Sequence, residues 1–219
     1  KAIKASGVPR EELFITTKLW ISDFSYEAAK DAFNESLRKL DLDYVDLYLL
    51  HQPFGDIFGA WRALEELYKE GLVKAIGVSN CKIHHLEEIK KIAEIMPMVD
   101  EVELHPLLSE LELRKYCEEN NIQIMAYSST ARLDFRLKAS RRMEQVCIET
   151  GKSLSQIMLR WHIQNGIIPI FNTSTFNHFK DNINVFDFKL SDEQMKIIDS
   201  MNINARTRYD SDNCEWDRL

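Results

Sequence analysis

The chain has 219 residues, with 28 Lys and Arg against 35 Asp and Glu for a formal net charge of −7, and 45% of its residues are hydrophobic. That is one domain's length with apolar surface for a sizeable core, so a disordered tail is excluded, and 7 Gly and 5 Pro are too few for collagen-like or low-complexity chains. The acidic balance, with no run of Lys or Arg, speaks against a broad nucleic-acid or anionic-membrane surface and leaves room for a small ligand in a local pocket.

In chain order, residues 1–6 read as the end of a helix already under way, and 13–17 as a first strand of β-branched and apolar residues. Ser25 caps a helix over 26–40, followed by a strand over 45–50 and a helix over 58–69 that Gly71 closes. A strand over 74–78 precedes a helix over 84–95 that stops before Pro97. Then come a strand at 101–104, a helix at 107–119 and a strand at 122–126. Helices at 141–150 and 155–164, a strand at 167–171 and a short helix at 177–183 follow. The last helix, 191–201, opens on Ser191 with Gln194 three residues on, a capping box.

Strand centres at Ile15, Leu47, Ile76, Val102, Ile124 and Ile168 lie 22 to 44 residues apart, the length of βα units, with no linker-like break between them. A single parallel α/β domain over residues 1–219 follows, either a (β/α)8 barrel or an open doubly wound sheet. The dinucleotide-binding open sheet needs G-x-G-x-x-G after its first strand, which this sequence lacks, so the barrel is favoured. Six strands are two short of it, and the helical opening at Lys1 puts the other two before that residue. Cys81, Cys117, Cys147 and Cys214 form no C-x-x-C pair and read as reduced thiols. No apolar run reaches the roughly 18–20 residues of a membrane helix, and Lys1 to Arg10 lacks a signal peptide's apolar centre; a soluble, cytoplasmic protein is expected.

Reactive groups of a parallel barrel sit at the C-terminal ends of its strands. The six strands end in Lys18; His51 and Gln52; Ser79 and Asn80; His105; Tyr127 and Ser128; and Asn172, Thr173 and Ser174. A solvated lysine and a hydrogen-bonded buried histidine are the ordinary alternatives for Lys18 and His51. The runs ELFITTKLW (12–20), LDLDYVDLYLLHQP (40–53), GLVKAIGVSN (71–80), VELHP (102–106), AYS (126–128) and VFDF (185–188), with Leu190 and Ser191, resemble the aldo-keto reductases. The likeness covers nearly the whole chain and keeps its motifs in order.

The resemblance implies a (β/α)8 TIM barrel that reduces aldehydes or ketones with NADPH, with NADH as the alternative, and without metal. Family members use a tetrad of Asp, Tyr, Lys and His. Lys18 matches the lysine, whose cation lowers the pKa of the tyrosine, and His51 matches the histidine that orients the carbonyl. Ser79 and Asn80 match the pair on the nicotinamide carboxamide, and Tyr127, with Ser128 beside it, the aromatic under the nicotinamide ring. Trp20 matches a wall of the substrate pocket, and in the family the C-terminal tail, here 202–219 with Trp216, lines that pocket.

The departures bear on both halves of the site. The family's Asp and Tyr would precede Lys1, so the tetrad is expected to be incomplete. Glu101 stands where members usually place Gln against the nicotinamide. Pro169 is followed by Ile170 and Phe171 in place of the Lys-Ser that clamps the 2′-phosphate, and His178 stands at the position of an Arg. Thr173 and Ser174 remain for phosphate, and Asp181 and Asn182 match the pair near the adenine. Two other chemistries are weaker. Glu101, Glu103 and His105 share one face of a strand and, with His51, resemble a metal-ligand set. Gly151, Lys152 and Ser153 resemble the end of a P-loop but lie between two helices. The expectation is a monomeric reductase with a small carbonyl substrate, the alternative a catalytically silent relative that only binds.

Overall fold

A parallel strand buried on both faces needs apolar residues at successive positions, whereas an edge strand tolerates polar ones. The computed structural model describes residues 2–214 and follows that rule. After α1 (Ala2–Ser6) and a short 3-10 turn, β1 (Thr16–Leu19) is half-buried at Thr16, Thr17 and Lys18. It is the edge. In β2 (Val45–Leu50) every residue but Asp46 is buried, and β2 pairs in parallel with β1 and with β3 (Val73–Ser79). Between them, α2 (Tyr26–Leu40) and α3 (Ile57–Lys69) bury Ala29, Phe33, Trp61, Leu64 and Leu67. α4 (Ile83–Lys90) and the start of β4 (Val99–Glu103) complete the first of two compact units, residues 1–100.

The second unit, 101–219, contains the end of β4, α5 (Leu111–Glu119), β5 (Gln123–Tyr127), α6 (Phe135–Lys138) and α7 (Arg141–Thr150). α8 (Leu154–Gln164), β6 (Ile168–Pro169), α9 (Phe176–Ile183) and α10 (Asp192–Asp199) follow. Its core gathers Met143, Val146, Ile157, Met158 and the fully buried Trp161, whose Nε1 donates to Asp199 at 2.8 Å. Within each unit strands that follow one another in the chain pair in parallel, β1 with β2 and β2 with β3 in the first, β5 with β6 in the second. Trp216 lies outside the described residues.

Local chemistry explains both agreement and difference. α2 and α7 have the expected bounds, set by the Ser25 and Ser140 side chains that accept N–H bonds of the first turn and by left-handed C-caps at Asp41 and Gly151. β1 begins later than expected, because 10–12 form a 3-10 turn and Asp46 takes the Ile15 N–H at 2.8 Å; Lys18 therefore lies within the strand. α4 ends five residues early. The buried Glu65 carboxylate accepts the N–H groups of Glu94 and Ile95, at 2.7 and 2.8 Å, and Trp61 Nε1 donates to the Ile95 carbonyl. α5 starts at Leu111 because His105 and Leu108 exchange two backbone bonds around Pro106, a closed turn no helix can pass through. β6 shrinks to two residues, Ile168 and Pro169, opposite Met125 and Ala126 of β5, with the Ile170 N–H donating to the Ala126 carbonyl at 2.8 Å as its last ladder bond.

Gly77 in β3 shows how close the packing is. A Cβ there would collide with the Val99 carbonyl and the Leu49 side chain. Gly77→Ala is expected to destabilise the fold by about 1–3 kcal/mol, read as a lower urea midpoint; an unchanged midpoint would show that the β3 to β4 contact is looser than described.

Candidate active site

The first unit brings five of the expected residues to the C-terminal ends of its strands. Lys18 is the third residue of β1, Trp20 follows that strand, His51 follows β2, Ser79 ends β3, and Asn80 comes next. Parallel pairing, Lys18 opposite Leu49 and Leu19 opposite Leu50, sets these residues at one level. The Trp20 and His51 rings meet edge to face, 4.9 Å between centroids. Asn80 adopts a left-handed backbone, φ 62°, which Asn tolerates better than most residues, and turns its amide back on the strand ends. Its Nδ2 donates to the His51 carbonyl at 3.0 Å and to Ser79 Oγ at 3.1 Å.

Burial and, after it, the Lys18 cation lower the His51 pKa to about 4. The imidazole is therefore uncharged at neutral pH and carries one N–H to donate. A lysine, a neutral histidine, an indole edge and an Asn-Ser pair thus line one end of three strands. They offer a positive charge, an uncharged donor and amide-like partners, a set suited to a polarised carbonyl and a carboxamide.

The second unit holds the other expected residues. Glu101 in β4 is buried, 4% exposed. Tyr127 ends β5 half-buried, and burial first, then the Glu103 charge, push its phenol up from the ordinary value. Ser128 has φ 50°, and after it Ala131, Arg132 and Leu133 are all left-handed, a run that L-residues enter at a cost. Ser129 Oγ, donating to the Ile170 carbonyl at 2.6 Å, and the Leu133 to Thr130 and Asp134 to Ala131 backbone bonds hold this loop. Arg136 is neutralised by Asp134, bonded at 2.8 and 2.9 Å. Thr173 accepts the Thr175 N–H just before α9, with Ser174 exposed between them. Asp181 and Asn182 lie in the last turn of α9, and the Asp181 carbonyl takes a bond from Gln156. His178 is exposed on the same helix, whose Lys180 ammonium sits 4.9 Å above the Phe176 ring.

The other expected sets resolve into local structure. Glu103 places its carboxylate on His105 Nε2, at 3.1 Å, and on the Thr207 and Arg208 N–H groups. Gly151 is the C-cap of α7 and Ser153 the N-cap of α8, a helix junction. Sequence reasoning missed the Asn80 bond to His51 and the Glu103 bonds to the tail; a left-handed Asn at a strand exit and a buried carboxylate two residues before a histidine are the signals each leaves.

A sequence profile of the Aldo/keto reductase family matches residues 1–203. The chain belongs to the aldo-keto reductases. Glyoxal reductase of Bacillus subtilis (strain 168) is 47% identical over 205 residues, which are 93% of this chain and 74% of that protein. The crystal structure of MGS-M4, an aldo-keto reductase enzyme from a Medee basin deep-sea metagenome library, superposes with TM-score 0.95 at 43% identity, covering 98% of this chain and 80% of that one. An aldo-keto reductase crystallised in complex with NADPH superposes with TM-score 0.88 at 32% identity, over 94% and 69%. The fold is therefore the α/β class of the aldo-keto reductases, as the resemblance implied.

Proposed function

We propose that this chain forms one domain of an NADPH-dependent aldo-keto reductase and reduces a small aldehyde or ketone, as a cytoplasmic monomer. The clustering of Lys18, Trp20, His51, Ser79 and Asn80 at the ends of β1, β2 and β3, with His51 uncharged, is the observation that carries this reading. The glyoxal reductase likeness favours a small substrate. A bound reduced nicotinamide would supply the hydride. In the first unit Ser79 and Asn80 would hold its carboxamide; in the second, Tyr127 and Ser128 would take its ring side, Thr173 and Ser174 a phosphate, and Asp181 and Asn182 the adenine end. The donor set fits, since a hydroxyl and an amide side by side match a carboxamide's donor and acceptor. The 2′-phosphate end fits less well: the cation of α9 stands over Phe176, so NADH is the alternative.

In the reaction His51 donates its N–H to the carbonyl oxygen and Lys18 stabilises the charge that develops there, while Trp20 walls the pocket. Glu101 replaces the usual amide beside the ring. The Asp and Tyr of the family's tetrad have no match among these 219 residues. A second reading, a catalytically silent nicotinamide-binding relative, is favoured by Glu101 at the place of the usual amide and by Ile170 and Phe171 at the place of the phosphate clamp. Mixing the chain with NADPH and glyoxal separates the two: consumption of NADPH supports the reductase, and binding without consumption supports the silent protein.

Asn80 gives a sharper check. Asn80→Ala is expected to weaken NADPH roughly tenfold or more, the loss of about 1.4 kcal/mol of carboxamide contact. Asn80→Gly, which keeps the left-handed backbone, should weaken it as much while costing less stability. Wild-type affinity in Asn80→Gly would remove the amide from the cofactor site.

A further inference from the structure

Beyond α10 the chain runs back along the exit of β4. Ile203 and Ala205 both donate their backbone N–H to the Leu107 carbonyl, at 3.2 and 2.9 Å, and Ser109 donates to Asn202 Oδ1 at 3.3 Å. Arg206 pairs with Glu110 at 2.7 Å. The centre of this strap is Glu103, whose side chain has 0% exposure. Its Oε1 accepts the Thr207 N–H and the Thr207 hydroxyl, each at 2.6 Å, and the Arg208 N–H at 3.1 Å. His105 Nε2 lies 3.1 Å from the same oxygen, and an Arg206 nitrogen 3.9 Å from Oε2. A carboxylate taken out of water is strongly unfavourable unless its lone pairs are filled. The strap's own backbone fills them, so strap and carboxylate hold each other in place. Burial pushes the Glu103 carboxyl up, and the bonds from His105 and Thr207 outweigh it and hold the pKa below its ordinary value.

Tyr127 is the neighbour across the sheet. Its carbonyl accepts the Leu104 N–H at 3.3 Å, one residue beyond Glu103, and its phenol feels the charges of Glu103 and Arg206 and the phenol of Tyr209. The strap thus brings Arg206 and Tyr209 within electrostatic reach of the phenol that the proposed function places under the nicotinamide.

We propose that Glu103 is a positioning residue for cofactor binding: by pinning Thr207 and Arg208 it fixes strap 202–210 against Tyr127, so that the nicotinamide meets an immobile ring. This rests on the reading of Tyr127 as the stacking residue. A glutamine at 103 keeps the volume and one acceptor oxygen but replaces the charged carboxylate by a neutral amide whose NH2 stands where Oε2 faces the Arg208 N–H and the Arg206 guanidinium, so the pin loses its charge assistance and is weakened.

The test compares wild type, Glu103→Gln and Thr207→Val by amide hydrogen exchange and by NADPH titration. Thr207→Val keeps the backbone bond and deletes only the hydroxyl, so it remains informative if Glu103→Gln folds poorly. Glu103→Gln is expected to speed exchange across 203–208 and to weaken NADPH by about tenfold, with exchange in α8 unchanged. Thr207→Val is expected to move both readouts the same way by less. A released strap with NADPH affinity within about twofold of wild type, or a strap whose exchange does not change, overturns the inference. Wild type that binds neither NADPH nor NADH overturns the proposed function itself, and this inference with it.

Discussion

Replacing His51 by glutamine is expected to lower kcat/KM for a small aldehyde by about 10²–10⁴-fold, with NADPH affinity nearly unchanged. The histidine sits at the exit of β2 with its ring against the Trp20 edge, and burial together with the Lys18 cation keeps it uncharged. An uncharged ring can give its N–H to a carbonyl oxygen without the desolvation cost of a buried cation. Glutamine keeps a donor of similar reach but loses the ring packing against Trp20, so the donor is no longer held at one angle. Steady-state rates on glyoxal check this. Equal kcat/KM in the two proteins would remove His51 from the reaction.

A second large effect is acid destabilisation. His51 and His162 both have pKa values lowered to about 4, below the ordinary 6.5. For His162, fully buried in α8, burial is the main cause and outweighs the Leu104 and Met158 carbonyls that lie 3.0 and 2.7 Å from its nitrogens and favour the cation. In both cases the unfolded chain binds protons more tightly than the folded one. Their contribution is therefore complete above pH 6.5 and is lost as the pH falls from 6.5 towards 4. At about 1.4 kcal/mol per tenfold mismatch in proton affinity, the loss is on the order of 2–3 kcal/mol for His162 and less for the partly exposed His51. The paired carboxylates of Glu35 and Asp134, lowered to about 2, act from the foot of this window downwards, as the pH falls through their ordinary 4.5 and 3.8 towards 2. Urea midpoints at pH 7 and pH 5 check the sign. Equal midpoints would contradict it, and His51→Gln should flatten part of the difference.

Legibility in the sequence followed the range of the interactions involved. α2 and α7 are readable because a serine cap, an apolar stripe and a left-handed stop lie within a few residues of one another. The end of α4 is not, because it depends on Glu65, about thirty residues upstream, taking the N–H groups of Glu94 and Ile95. The late start of β1 depends likewise on Asp46 reaching Ile15. Residues at strand ends are readable as a set, since alternating apolar runs mark where each strand must stop, and the family likeness names them. Their mutual bonds, Asn80 on His51 and Glu103 on Thr207, join separate elements and leave only a faint local trace.

The most direct test of the proposed function is a titration of the purified chain with NADPH, followed by tryptophan fluorescence, alongside a Tyr127→Ala variant. Saturable quenching in the wild type, weakened by at least about fivefold in the variant as loss of a stacking contact requires, is the expected result. No saturable binding of NADPH or NADH by the folded wild-type chain would contradict it.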